Sequence, residues 1–218
     1  MIDRGRLDEL NVRNIARVKE AYLELVRRGK LPDIEPMFVT GNGSGKEPVV
    51  LIGEAPGKEE VREGRPFVGP AGKILDELLE RSGIERGKLY ITNTVKYRLA
   101  AFGKRPGTFA NRPVKTFEIE LCSGWLAGEL ALIRPKLILT LGNTALRGVL
   151  LCLETNIGTC SGIGDVHGKK IGAEVRGTGE TVTLMPLYHP ASLIYNRELR
   201  PQYEHDLEEV KKCAQLIL

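Results

Sequence analysis

Val49-Val-Leu-Ile-Gly-Glu-Ala-Pro-Gly57 runs from four aliphatic residues straight into a glycine-bracketed turn. An apolar run without polar alternation suits a strand covered on both faces, as inside a parallel sheet. Leu89-Tyr-Ile-Thr92, Leu137-Ile-Leu-Thr-Leu141 and Thr181 to Leu187 are further strand candidates. Helical spacing separates them. Ile74, Leu75, Leu78 and Leu79 share one face between Gly69 and Gly83, a second helix spans Val114 to Ile133, and a third runs from Asn143 to about Leu153. Helices also open and close the chain, at about Leu7 to Arg28 and Pro201 to Leu216. This alternation predicts an α/β fold: three layers, α/β/α, around a central, mostly parallel four-stranded sheet. The expected organisation is a single domain over 1–218, with an N-terminal helix in 1–30 and a glycine-rich insertion at 154–180. That insertion is read with a hairpin near His167-Gly168-Lys169, and residues 98–113, rich in Gly, Pro, Arg and Lys, are read as loop.

Composition narrows the function. With 42% hydrophobic residues in 218, the chain can bury a real core, which excludes a disordered protein. No apolar run reaches the roughly 18 residues of a membrane span, and no charged segment leads into an apolar one as in a secretory leader. The expectation is a cytoplasmic monomer without membrane contact. A net charge of +4 permits a polyanionic partner without requiring one. The four cysteines (Cys122, Cys152, Cys160, Cys213) form no CxxC pair and read as buried thiols, while His167, His189 and His205 are too scattered for a metal site. The expectation is therefore no metal and no cofactor.

Ligands of parallel sheets bind beyond the carboxyl ends of the strands. Three polar groups fall there: Glu54 to Glu60, Asn93, and His189. A phosphate loop is the weaker reading. Gly41-Asn-Gly-Ser-Gly-Lys46 precedes its strand, is one residue short, and has Glu47 where a magnesium hydroxyl belongs. In the Gly53 to Gly57 turn, Pro56 removes a backbone donor and Glu54 brings negative charge. A carboxamide such as Asn93 instead offers a donor and an acceptor side by side, matching a pyrimidine edge. Phe67, in a polar, turn-rich segment, can stack on such a base.

Four blocks in register then resemble a known family: Gly53-Glu-Ala-Pro-Gly57; Gly64-Arg-Pro-Phe-Val-Gly69 with Ala71-Gly72; Ile91-Thr-Asn-Thr-Val-Lys96; and His189-Pro-Ala191. They are similar to the uracil-DNA glycosylase superfamily, nearest its family 4, iron–sulfur branch. The resemblance implies hydrolysis of the bond between deoxyribose and uracil in DNA, leaving an abasic site for base excision repair. It places Glu54 and Glu60 on the family's carboxylate positions, Phe67 on the stacking ring, Asn93 on the base-reading amide and His189 on the donor to uracil O2. Gly53 belongs to the base pocket by the same comparison, and Leu193 to the loop that wedges into the duplex. Arg65, Lys96 and Arg98, with Lys104, are expected phosphate contacts. Spacing leaves open which carboxylate orients water.

The departures concern the cluster. The family's N-terminal CxxC pair is missing, Tyr97 stands where a third cysteine belongs, and only Cys122 falls near a ligand position. One thiolate cannot hold a four-iron cluster, so none is expected. Tyr195 stands where the family has Arg after the His-Pro loop. These departures keep two other readings in view: a non-catalytic binder of damaged bases on the same fold, and a glycosylase for another lesion.

Overall fold

The structure, a computed structural model, describes residues 4–157 and 162–217, apart from the side chains of 194, 195 and 197. Cys160 and the Tyr195 side chain thus lie outside the described residues. In chain order the elements are α1 (Arg4–Arg27), β1 (Val49–Gly53), α2 (Lys58–Glu63), α3 (Pro70–Arg81), β2 (Leu89–Asn93), β3 (Ala100–Phe102), β4 (Phe109–Asn111) and α4 (Thr116–Ile133). There follow β5 (Leu137–Leu141), α5 (Gly142–Leu150), β6 (Leu153–Thr155), α6 (Ile163–Val166), β7 (Ile171–Val175), β8 (Glu180–Leu187), α7 (Ser192–Tyr195) and α8 (Arg200–Gln215).

The main sheet runs β2-β1-β5-β8-β7-β6. Its first four strands are mutually parallel and are the four read from the sequence. Among the described residues the sheet has six strands, because β7 and β6 extend it antiparallel from β8. The expected hairpin near His167 is instead the tail of α6, and the chain reverses between β7 and β8, around Gly177 and Gly179. Nor is 98–113 all loop: β3 and β4 pair there as a separate antiparallel hairpin.

Alternation along β1 splits the core. Val50 and Ile52 join Tyr90 and Ile138 under α1, α4 and α5, while Val49 and Leu51 join Leu89, Leu137 and Leu139 over α3 and α8. Both faces of β1, β2 and β5 are covered, as parallel strands require. Cys122, Cys152 and Cys213 are buried, and burial pushes the Cys122 and Cys152 thiols up to about 11 and about 12. Among the described residues no helix is long and apolar enough to cross a membrane.

A charged pair, Lys96 with Glu129, sits inside this core. Lys96, 0% exposed, donates from Nζ to Glu129 Oε2 (2.5 Å), Thr92 Oγ1 (2.6 Å) and the Asn93 carbonyl (2.6 Å). All three ammonium protons are used. Tyr90 donates to Glu129 Oε1 at 3.0 Å, and burial, reinforced by Glu129, pushes that hydroxyl's pKa far above its ordinary value. The expected phosphate role of Lys96 is therefore corrected: its ammonium has no route to a phosphate, because it ties β2 to α4. Removing one member of a buried pair strands the other charge and typically costs about 3–5 kcal/mol. Urea unfolding of Lys96→Met should show a loss of that order, and the joint change Lys96→Met with Glu129→Leu should recover much of it. A single-variant loss under about 1 kcal/mol would contradict the assignment.

Candidate active site

Parallel strands deliver their C-terminal ends to one edge. Gly53 pairs with Asn93 in register, and β5 and β8 end beside them, so Gly142 and His189 follow at the same edge. A cleft of about 450 Å³ opens there, its wall including Phe67, Asn93, His189, Glu60, Lys58 and Asn111. Phe67, Asn93 and His189 thus line one cavity. Gly53 makes the approach possible: a Cβ there would overlap the Phe67 ring and stand 2.5 Å from Asn93 Oδ1.

Phe67 holds φ at 54°, a region that non-glycine residues rarely adopt and that surrounding structure must enforce. Arg86 supplies the enforcement. Its guanidinium donates to the Pro66 and Phe67 carbonyls at 2.9 and 3.0 Å and pairs with Asp76 at 2.6 Å. Gly72 on α3 lets the helix lie against the Phe67 backbone. The ring ends 6.2 Å from the His189 ring, tilted by 31°.

The two carboxylates divide. Glu60 accepts from the backbone N–H groups of Gly57 (3.0 Å), Val68 (3.1 Å) and Gly69 (2.8 Å). It locks the first turn to the segment carrying Phe67, and those donors occupy both of its oxygens. Glu54 accepts from Thr144 Oγ1 at 2.5 Å and acts electrostatically on His189. His189 Nδ1 accepts the Ala191 N–H at 3.1 Å, so the neutral ring carries its proton on Nε2. Burial lowers the His189 pKa from its ordinary 6.5, and the opposing pull of Glu54 does not cancel that.

Other expected contacts fall elsewhere. Arg98 is buried, its side chain spent on Asn111 Oδ1 (3.2 Å) and the Phe109 carbonyl (3.4 Å), which corrects its phosphate role. Leu193, 9% exposed, packs with Leu78, Tyr203 and Leu207, which corrects its reading as a projecting wedge. Arg65 does reach solvent, paired with Glu63 at 3.1 Å. Sequence reasoning missed Lys58, which follows the Gly57 turn directly and could have been found, and Asn111 and Thr144, for which no spacing gave a signal. The Gly41 to Lys46 turn is closed to phosphate, because Glu47 takes the Ser44 and Gly45 N–H groups at 2.5 and 2.8 Å. A larger concavity of about 940 Å³ lies on the exposed face of β6–β8, far from these strand ends.

Among the described residues the side chains do not fit an iron–sulfur cluster. Tyr97, at a ligand position of the resembling family, donates to Glu118 at 2.7 Å and meets Tyr22 and Phe38 edge-on at 5.1 and 5.9 Å. Those rings fill the space around it. Among the described residues no three His, Cys, Asp or Glu side chains gather as a metal site.

The sequence profile described as the uracil DNA glycosylase superfamily matches residues 40–212. A type-4 uracil-DNA glycosylase of Archaeoglobus fulgidus is 36% identical over 184 residues, covering 84% of this chain and 85% of its own. Those of Sulfurisphaera tokodaii and Thermotoga maritima are 34% and 37% identical, covering 92% and 79% of this chain and 85% and 81% of theirs.

The site makes a titration prediction. By NMR, His189 should titrate below 6.5, and Glu54→Gln should lower the midpoint further, because the carboxylate's favourable pull on the imidazolium is gone. A midpoint that rises in the variant would contradict the pairing.

Proposed function

The chain belongs to the uracil DNA glycosylase superfamily, and from that premise we propose that Phe67, Asn93 and His189 form the slot in which uracil, turned out of DNA, is cut from its sugar. The observation that carries the reading is their convergence on one cleft at the strand ends. The protein is a uracil-DNA glycosylase of base excision repair, acting on uracil-containing DNA.

A base within a duplex is out of reach, so the nucleotide leaves the stack at a cost of about a few kcal/mol. Phe67 stacks on the extruded ring. The Asn93 amide meets uracil N3–H and O4, and cytosine, with the donor and acceptor reversed, leaves buried polar groups unpaired. The C1′–N1 bond then breaks, and its electron pair leaves with the base as an anion spread over N1 and O2. His189 donates from Nε2 to O2, and its lowered pKa keeps it a neutral donor at pH 7. Such preorganised donors in a partly dry site are the main source of transition-state stabilisation.

The sugar becomes cation-like as the base departs. Glu54, held by Thr144, stabilises that charge and orients the water that attacks C1′; its freer carboxylate is better suited than that of Glu60, whose oxygens serve the backbone. Lys58, exposed in the cleft wall, and Arg65, exposed beside Glu63, meet phosphates, which sets affinity and salt dependence without reading sequence.

Incubation with a uracil-containing oligonucleotide should yield free uracil and an abasic site. His189→Ala and Asn93→Ala should each lower kcat by about 10²-fold or more. Unchanged activity in Asn93→Ala would remove it from the slot, and no product from the wild type, with DNA binding kept, would favour a non-catalytic binder.

A further inference from the structure

The cleft has an outer wall that the proposed excision does not use. Strands β3 and β4 pair Ala100 with Asn111 and Phe102 with Phe109. Directly opposed residues share a face of the ladder, as do residues two apart. The face that turns Asn111 to the cleft therefore also carries both phenylalanines. Phe102 and Phe109 are 64% and 43% exposed, with ring centroids 6.2 Å apart and planes at 40°. Two large apolar rings side by side in water are costly to leave uncovered.

The hairpin is built to hold them out. An isolated two-stranded ribbon is marginal in water. This one is fastened at its base by Arg98, on Asn111 and Phe109, and by Arg112, which donates to the Ala100 carbonyl at 3.1 Å and pairs with Glu118 on α4 at 2.7 Å. Its tip is closed by Gly103 N–H on the Thr108 carbonyl (2.7 Å) and by Thr108 on the Arg105 carbonyl (2.7 Å), and exposes Lys104 and Arg105.

We infer that the Phe102–Phe109 pair is a stacking platform for unpaired DNA bases beside the extruded nucleotide, with Lys104 and Arg105 meeting the backbone that leads to it. Two features select DNA as the occupant. The patch is continuous with the cleft through Asn111, and aromatic rings beside cations are what single-stranded nucleic acid binds, since every base has a π-face. Phe109 lies two residues from Asn111, about 7 Å along the strand, or about two base rises of 3.4 Å. The platform thus serves the neighbouring bases and leaves the slot itself untouched.

This inference rests on the uracil-excision reading, and the test separates the two. Undamaged single-stranded oligonucleotide binding is measured by fluorescence anisotropy, alongside uracil release from single-stranded substrate. Phe102→Ala/Phe109→Ala should weaken binding about tenfold or more and raise KM similarly, with kcat and inhibition by free uracil unchanged. Phe102→Tyr/Phe109→Tyr should restore both, and Phe102→Leu/Phe109→Leu, apolar but without a ring, should not. Wild-type binding and KM in the alanine or leucine pair would overturn the platform and point to a protein partner for the patch. Absence of uracil release by the wild type would defeat the excision reading alone, with the binding comparison still deciding the platform.

Discussion

The position of Asn93 depends on an ammonium sealed in the core. Lys96 joins the Asn93 carbonyl, the Thr92 hydroxyl and the Glu129 carboxylate, so the end of β2 is tied to α4 by a point charge with no solvent to loosen it. Such a pair adds little net stability, since desolvation consumes most of its Coulomb energy. Its value lies in register. An apolar substitute could hold α4 against the sheet, but it could not specify where the Asn93 carbonyl stands. The amide on that residue faces Gly53 across a gap with no room for a Cβ, so its placement at the strand ends is tightly constrained.

The same division between holding and acting runs through the carboxylates. Glu60 has its oxygens filled by backbone donors from two segments, and this joins the first turn to the strained Phe67 segment. Glu54 has a hydroxyl partner and an imidazole neighbour, an arrangement that leaves it able to respond to charge. Two acidic residues six positions apart therefore differ in chemistry because of what surrounds them. That explains why spacing could not tell them apart.

The parallel strands were legible because each is an apolar run bounded by turns, and their ends located the cleft. The added strands were not. Leu153–Thr155 and Ile171–Val175 are short and lie in glycine-rich sequence, while Ala100–Phe102 and Phe109–Asn111 are three residues each, too few to display a period. Lys96 and Arg98 were misread for a sound reason. Charged side chains are mostly solvated, and the partners that reverse this, Glu129 and Asn111, lie 33 and 13 residues away. Leu193 was misplaced because its burial is decided by Leu78 and Tyr203, on helices that sequence proximity does not bring to it.

Where the resembling family would hold a cluster, this chain has another fastening. Glu118 accepts from both ends of the Arg112 guanidinium, from the Tyr97 hydroxyl and from the Lys115 N–H, all within 3.0 Å. Tyr97 in turn packs on Tyr22 of α1. The first helix, the segment after β2 and α4 are thus joined by rings and one bidentate ion pair. A metal cluster would fix those segments through its ligands alone, whereas Arg112 also grips the Ala100 carbonyl at the foot of the hairpin. This fastening therefore fixes the hairpin too. In this chain one guanidinium, that of Arg112, both grips Glu118 on α4 and holds the foot of the hairpin that carries Phe102 and Phe109.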